Sequence, residues 1–550
     1  MISGWRAWLH HASRRRASLE RTAVGIVVSG FLLAWLVCAS PLSPDSHPVI
    51  TTDPVEHAIR REWQRLRHAP GPEPRALGHW LRKLTPSLAM LAEVLDSPPA
   101  SWAKYAKEGS VLAYEVRSLL VKHLGAAKLI ELAEDYLAAC LLTDPELQKA
   151  AAARVQAATH SPNPLPLAHE WHASLLLRED ADSSALEAMM REGQLFPDAQ
   201  SARETSVRLA LLQQEREKLA QMAQAGWTDN LPPLLEHDAG ALLGNILIQW
   251  RGLLRYRMQG LPLAALLLTG MSAGLWYILL VMHTPRCSWR WTWPLGPVVA
   301  GIASIWPTIS LIAWQEQEKL GLNGTVEATT LNFPMDLWHL ILGVGLREES
   351  CKLALAAFFM PWLVWRRMPG MALMTGAFVG LGFALEENVD YYQSMGGAVA
   401  LPRFLSANFM HVAMTGLTTH ALYEMLHSRF ASADRFLLTF AAVVTAHAVY
   451  DYAPPEASGL DMYLPMLTLA FIAWRFWDQV EAEMPIMPQP IAPAAVFLIG
   501  GATIIAASLI ITAMQEKTWS RVIEASISCA SILPVALIYW RRFERTLSAE

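Results

Sequence analysis

Acidic, basic and imidazole side chains stand inside stretches of this sequence that are otherwise apolar enough to cross a lipid bilayer. An ionisable group at that depth costs a few kcal/mol or more, so it faces a protein interior or a wet cavity and marks a functional site. Paired carboxylates and imidazoles are the groups that activate water for hydrolysis. The residues are Glu348, Glu349, His411 and His447, with Lys352, Glu386, Glu387, Asn388, Arg403 and Asp451 in the same segments.

The first segment holds a glutamate pair and a lysine. Glu348 and Lys352 are four residues apart, so on a helix they share one face, while Glu349 lies about 100° further round. One interpretation is a buried Glu–Lys pair that only fixes helix packing. The second glutamate favours catalysis, because a structural pair needs no further acid that lacks its own cation.

The later segments add acids and imidazoles at helical spacing. Glu386 and Glu387 are adjacent, so only one of them can point fully into a bundle, and the sequence does not choose between them. His411 belongs to a polar stripe of the kind that lines a cavity. His447 and Asp451 are four residues apart, and an aspartate there fixes the tautomer of the imidazole.

Two mechanisms fit these residues, and the sequence leaves both open. In the first, His411, His447 and Glu349 bind a divalent metal ion such as Zn²⁺, and a second glutamate is the general base. In the second, no metal is bound, and Glu348 or Glu349 deprotonates water while His and Asn side chains hold the oxyanion. The H-E-x-x-H motif is absent from the sequence.

The composition is typical of a membrane protein. Hydrophobic residues make up 53% of the 550 residues and charged residues only 17%, which is too apolar for a soluble chain of this length. The net charge of −5 and the lack of a basic stripe exclude a nucleic acid partner. The five cysteines are scattered, so they indicate neither a disulfide framework nor a thiolate metal site.

Apolar runs of bilayer length predict an all-α, polytopic membrane helix bundle of about ten spans. The first run, near 22–42, follows a basic amino terminus and is interpreted as a retained anchor, with a cleaved signal peptide as the alternative. Basic residues fall on alternate loops, which places both termini in the cytoplasm. The other runs are 261–283, 294–314, 336–365, 369–392, 403–427, 436–453, 460–477, 491–514 and 521–540.

A block with a different composition separates the first two spans. Charges and helical periodicity return in residues 44–258, which we interpret as a large soluble, all-helical extracytoplasmic insertion. A helical insertion without chemistry and a docking surface for a protein partner both fit it. The predicted domains are 1–43 (basic amino terminus and anchor), 44–258, 259–335 (two spans and an outer loop), 336–453 (the core with the ionisable residues) and 454–550 (three spans and a cytoplasmic tail).

Four ordered motifs in 336–453 resemble the PrsW family of bacterial intramembrane proteases, a family related to the CAAX prenyl proteases and the Abi proteins. The resemblance implies an inner-membrane peptidase that cleaves membrane-anchored proteins, such as anti-sigma factors. It also makes Glu348, Glu349, His411 and His447 the catalytic or ligand candidates. The motifs are Glu348-Glu349-x-x-Lys352, Phe383-Ala384-x-Glu386-Glu387-Asn388-x-x-Tyr391, Arg403 with His411 and Gly416, and His447-Ala448-x-Tyr450-Asp451.

Two other classes of protein fit the same residues. A proton-coupled transporter also uses acid–histidine chains, but it favours inverted repeats, which this sequence does not display. A non-enzymatic receptor would use the outer domain to sense a partner and would tolerate neutral replacement of Glu348 and Lys352 together. We predict an intramembrane endopeptidase that acts on membrane-anchored proteins in the lipid bilayer.

Overall fold

The computed structural model describes most of the chain as helix. Within the described residues there is no strand, which confirms the predicted all-helical class. The chain divides into two compact units, one made of Met1–Asp45 with Met258–Glu550 and the other of Ser46–Arg257. The described residues are 10–39, 65–69, 74–94, 111–142, 144–258, 262–285, 289–317, 335–452, 463–484 and 489–547.

The unit Ser46–Arg257 is an array of short helices that follows helix α1 (Arg16–Ala39) in the chain. Its core is aromatic and aliphatic, and the rings of Tyr136 and Trp171 stack with their centroids 5.5 Å apart. The helices are α2 (Pro74–Val94), α3 (Val111–Leu124), α4 (Ala127–Leu141), α5 (Pro145–Thr159), α6 (Ala168–Arg178), α7 (Asp182–Leu195), α8 (Gln200–Leu212), α9 (Arg216–Gln224), α10 (Pro233–Leu243) and α11 (Ile246–Met258).

Buried ion pairs connect the helices of this array. The carboxylates of Glu170 on α6 and Glu192 on α7 are fully buried, and each pairs with an arginine of α2. Arg82 lies 2.7 Å from Glu170, and Arg75 pairs with Glu192. A carboxylate taken out of water needs such a partner, so these pairs fix where α2 packs.

The other unit contains the apolar helices. Among the described residues, five segments are long and apolar enough to cross a membrane, or six if the bent pair Trp519–Ser531 and Leu533–Thr546 counts as one span. They confirm a multi-pass membrane protein, whereas the count of ten spans and the orientation stay predictions. The segments are Arg16–Ala39, Leu263–His283, Leu295–Gln315, Pro369–His427 and Pro493–Glu516.

In the membrane unit, the segment that bears Glu348, Glu349 and Lys352 is interrupted. The predicted run 336–365 is divided into the helix Met335–Leu340, a π-helical turn (Ile341–Gly345) and the helices Leu346–Ala357 and Met360–Arg366. The helices after α11 are α12 (Leu263–His283), α13 (Leu295–Ala303), α14 (Ile305–Gln317), α15 (Met335–Leu340), α16 (Leu346–Ala357), α17 (Met360–Arg366), α18 (Pro369–Met395), α19 (Ala400–Leu405), α20 (Ala407–His427), α21 (Ala433–Asp451), α22 (Leu464–Glu483), α23 (Pro493–Glu516), α24 (Trp519–Ser531) and α25 (Leu533–Phe543).

Helix α18 packs backbone to backbone against α20. A β-carbon at Gly380 would lie 2.1 Å from the carbonyl oxygen of His411, and one at Gly376 would lie 2.4 Å from that of Thr415. Glycines four residues apart allow such an approach because they leave a groove along one helix face. This contact sets the depth at which His411 lies against α18.

Candidate active site

The glutamate pair lies at the start of α16, directly after the π-helical turn. A β-carbon at Gly345, the last residue of that turn, would lie 2.5 Å from the carbonyl oxygen of Val444 on α21. The turn therefore touches the backbone of the helix that carries His447. π-helical turns inside α-helices often occur at functional sites, since they shift the register of the side chains that follow.

Glu349 connects α16 to α21. Its Oε1 accepts a hydrogen bond from Nδ1 of His447 at 2.8 Å and lies 2.6 Å from Nζ of Lys352. Glu349 is 1% exposed and Lys352 is fully buried. The predicted pair of Glu348 and Lys352 is present at 3.6 Å, but Lys352 lies closer to Glu349. Glu349 is thus an ion-pair partner and an orienting group for an imidazole.

The second nitrogen of His447 faces two carboxylates. Nε2 lies 3.3 Å from Oδ2 of Asp451 and 3.7 Å from Oε2 of Glu348. That oxygen of Glu348 is buried and has no hydrogen-bond partner among the described residues. Because Nδ1 of His447 donates to Glu349, a neutral ring presents a lone pair at Nε2. A nitrogen and two carboxylate oxygens therefore converge on one small volume, which suits a positively charged occupant.

His411 contacts a cation on one side and an anion on the other. Its Nδ1 lies 3.0 Å from Nζ of Lys352, and its Nε2 lies 2.9 Å from Oε2 of Glu387. An ammonium group has donors but no acceptor, so Nδ1 accepts and Nε2 carries the hydrogen that it donates to Glu387. The surroundings of His411 therefore select one tautomer of the ring.

Arg403 connects the end of α18 to α19. It donates from Nη2 to Glu387 at 2.9 Å and from Nε to the side-chain oxygen of Asn388. Asn388 in turn donates to the side chain of Asn408 on α20. The guanidinium also lies 3.6 Å from the ring centroid of Tyr391. Planar donors and an aromatic face together hold an arginine in one orientation.

These contacts join nine of the ten predicted site residues into one connected group, which we name the acid–histidine cluster. Of the two adjacent acids, Glu387 is the one that contacts His411 and Arg403. The role of Glu386, the tenth residue, stays a prediction. The cluster consists of Glu348, Glu349, Lys352, Glu387, Asn388, Arg403, His411, His447 and Asp451.

The sequence interpretation assigned no role to Phe383. Its ring centroid lies 4.2 Å from Nζ of Lys352 and 5.2 Å from the ring of His411. Phe383 belongs to one of the four motifs, but an aromatic residue in an apolar helix is usually interpreted as part of the packed core. The missed signal was its position four residues before Glu387, because residues at that spacing share a helix face.

The cluster contains a donor set for a metal ion. Glu348, His411 and His447 each offer one ligand atom such that all three atoms lie within 4.8 Å of one another. Both imidazoles donate their other N–H to a carboxylate, as metal-binding histidines typically do. Two imidazoles and a carboxylate form a common ligand set of hydrolytic zinc sites. The described residues fit a divalent metal, although the identity of the ion stays a prediction.

This donor set differs in its acid from the predicted set of His411, His447 and Glu349. Oε1 of Glu349 is already shared between His447 and Lys352. By contrast, Oε2 of Glu348 faces the second nitrogen of His447 and has no hydrogen bond. The geometry therefore favours Glu348 as the carboxylate ligand and Glu349 as the group that orients His447.

Comparison with known proteins agrees with the motifs. Residues 263–475 match the model of a family described as PrsW family intramembrane metalloprotease. The matched segment runs from the start of α12 into α22 and contains the whole acid–histidine cluster, so the resemblance inferred from the motifs is confirmed. Comparisons with curated proteins and with solved structures gave no match.

Proposed function

Because residues 263–475 match the PrsW family of intramembrane metalloproteases, the chain is a peptidase, and we propose its reaction, its metal ligands and its location. It is an endopeptidase that hydrolyses membrane-anchored proteins at a divalent metal held by Glu348, His411 and His447. One observation carries this proposal. A carboxylate oxygen without a hydrogen bond and two imidazoles, each oriented by a second carboxylate, meet within 4.8 Å inside a membrane unit.

The surrounding residues have separate tasks. A divalent ion at this position would supply Lewis acidity to a water molecule and to the scissile carbonyl. Glu349 and Glu387 hold the imidazoles of His447 and His411 in orientation. Asp451 accepts the proton of the attacking water, because its oxygen lies 3.3 Å from Nε2 of His447 and its side chain is 36% exposed.

We infer the location from the family and the orientation from the loop charges. The resemblance to the PrsW family implies the bacterial inner membrane, and basic residues on alternate loops support a cytoplasmic position for both termini. Residues 44–258 then lie outside the cytoplasm, where their helices dock a protein partner or the substrate. Single-span proteins resembling anti-sigma factors are the proposed substrates. Residues 40–64, including the start of this domain, lie outside the described residues.

The metal content of detergent-purified protein tests the proposed centre directly. We expect about one divalent ion per chain by elemental mass spectrometry, and we expect the ion to be lost in the Glu348→Gln and His447→Ala variants. His420→Ala is the matched control, because His420 lies on α20 beside Glu483 and outside the cluster. If the wild-type protein contains no metal and cleaves at the same rate with and without chelators, the proposed metal centre is wrong and the metal-free glutamate mechanism is supported.

Cleavage is tested in membranes from bacterial cells that produce each variant. Mass spectrometry of the membrane fraction compares fragments of single-span proteins in cells with the wild type, Glu348→Gln or His420→Ala. We expect a set of truncated single-span proteins in the wild type and the control, and uncleaved precursors in Glu348→Gln. Identical fragments in all three membranes would contradict an endopeptidase that uses this cluster.

A further inference from the structure

Lys352 donates a hydrogen bond to the nitrogen of His411 that a metal ion would need as a ligand. Nε2 of His411 is bound to Glu387, so Nδ1 is the nitrogen that remains for a ligand bond. In the structure this nitrogen accepts from Nζ of Lys352 at 3.0 Å. An ammonium and a metal ion cannot both use one lone pair. Lys352 and the ion are therefore alternatives at His411.

The ammonium has two other contacts in reach. Nζ of Lys352 lies 2.6 Å from Oε1 of Glu349 and 4.2 Å from the ring centroid of Phe383. Neither Glu349 nor Phe383 belongs to the proposed ligand set. The lysine can therefore leave Nδ1 of His411 and still keep an ion pair and a cation–π contact, so its positive charge is never buried without a partner.

The cluster also needs positive charge before any metal arrives. Glu349 is buried, and Glu348, Glu387 and Asp451 are only partly exposed. Carboxylates at membrane depth are costly unless a cation compensates them. Lys352 lies within 4 Å of Glu348 and Glu349, and Arg403 pairs with Glu387. The two cations compensate half of the negative charge of these four carboxylates.

We propose that Lys352 is a built-in competitor of the metal ion. Without an ion, its ammonium occupies Nδ1 of His411 and allows the acid–histidine cluster to fold in the membrane. When the ion binds to Glu348, His411 and His447, the ammonium moves onto Glu349 and Phe383. Lys352 thus lowers the affinity for divalent ions, and weakly binding ions are excluded. This inference rests on the proposed metal centre.

The affinity for Zn²⁺ alone, measured by competition with a chromogenic chelator in detergent, tests the proposal without any substrate. We expect Lys352→Met to bind Zn²⁺ about tenfold more tightly or better, because a positive charge a few ångströms from the ion is removed. Lys352→Arg keeps a cation and should stay near the wild-type affinity or below it. His420→Ala is again the control outside the cluster.

A second pair of variants protects the test against misfolding. Lys352→Met leaves Glu349 buried without its cation, which can prevent folding. Glu349→Gln keeps an acceptor for Nδ1 of His447 and removes the charge. We therefore compare Glu349→Gln with the double variant Glu349→Gln and Lys352→Met, and we expect the double variant to bind Zn²⁺ about tenfold more tightly. Size-exclusion profiles and tryptophan fluorescence report folding.

The possible results separate this inference from the proposed function. Tighter binding whenever Lys352 is removed supports the competitor. If the wild type binds Zn²⁺ and the loss of Lys352 leaves the affinity unchanged or weaker in both comparisons, the competitor role is overturned, while the metal centre stands. If neither the wild type nor the Lys352→Met variant binds Zn²⁺, the metal centre and this inference are overturned together. If Lys352 had a purely structural role, its replacement would weaken Zn²⁺ binding rather than strengthen it.

Discussion

Gly380 lies directly against the main chain of His411, because a β-carbon at that glycine would lie 2.1 Å from the carbonyl oxygen of the histidine. The glycine is on α18 and the histidine on α20. The same turn of α18 is followed by Phe383 and Glu387, which touch the His411 ring. One close helix contact therefore determines both the position of this imidazole and its acidic partner.

Replacement of Gly380 by alanine should displace α20. The added methyl group meets main-chain atoms, which cannot rotate away, so we expect a loss of about 1–3 kcal/mol in stability from overpacking. Cleavage of single-span proteins should fall as His411 leaves Glu387. Thermal unfolding in detergent measures the first effect, and fragment analysis of membranes measures the second.

Gly274→Ala is the matched control for this substitution. Gly274 lies on α12 of the same unit, and a β-carbon there meets no atom within 4 Å. Alanine should leave stability unchanged or raise it by up to ~1 kcal/mol, because it is the better helix former. Equal effects of the two substitutions would show that the contact of Gly380 with His411 carries no special constraint.

Truncation of Glu349 should weaken metal binding without removing a ligand. Glu349 orients His447 through Nδ1, and loss of such an outer carboxylate typically costs about 10–100-fold in metal affinity. We expect Glu349→Ala to lower Zn²⁺ affinity by this amount, whereas Glu348→Gln should abolish measurable binding. If Glu349→Ala were the more severe of the two, Glu349 rather than Glu348 would be the ligand.

Arg403→Lys should reduce turnover although the charge is kept. The guanidinium donates to Glu387 and Asn388 and stacks on Tyr391, and a lysine cannot form this fork. We expect the cleavage rate of a reporter substrate to fall about tenfold or more. Because Arg403 acts through Glu387, which orients a ligand and does not touch the substrate, kcat should fall more than KM rises.

Arg475→Lys is the control for the Arg403 substitution. Arg475 pairs with Asp478 at 2.9 Å, but the two side chains are about half exposed. An exposed ion pair contributes at most about 1 kcal/mol, so lysine should be tolerated there with unchanged cleavage. A cleavage rate for Arg403→Lys that equals that of Arg475→Lys would contradict a positioning role for the fork.

Acid should loosen the helical array of the unit Ser46–Arg257. Burial, together with the nearby charges of Arg191 and His172, lowers the pKa of His169 on α6 to about 4 from its ordinary 6.5. A group whose pKa is lower in the folded state supports stability above its unfolded pKa. This contribution is lost as the pH falls from about 6.5 toward 4.

Hydrogen exchange of peptides from α6 and α7, corrected for intrinsic rates, measures this effect in the full-length protein. We expect protection to decline between pH 6.5 and 4 in the wild type and to decline less in His169→Gln. Peptides from α12 in the other unit provide the internal control. Parallel pH profiles of the wild type and His169→Gln would show that His169 does not cause the loss.

The motif residues were predictable because ionisable groups inside apolar runs can be recognised from the sequence alone. The cost of charge in hydrocarbon applies whatever the packing, so the sequence was sufficient to identify Glu348, His411 and His447 as candidates. The all-helical class followed from the same apolar runs and from helical periodicity. The family match over 263–475 agrees with the ordered motifs.

The span count was less accessible. Length and hydropathy treat 336–365 as one span, yet the structure interrupts it at the π-helical turn Ile341–Gly345, and α24 and α25 meet at a bend of 46°. A one-dimensional window averages over such breaks. A π-turn and a bend change the backbone hydrogen-bond pattern of a helix, and the mean hydropathy of the residues does not report that change.

The sequence by itself determined which side chains carry charge into the membrane and in what order along the chain. Only the tertiary structure decided their partners: Glu387 rather than Glu386 at His411, and Lys352 between Glu349 and His411. Spacing on one helix fixes a face but not the depth or rotation of a neighbouring helix. Close glycine contacts such as Gly380 with His411 set these two quantities, and they exist only once the helices have packed.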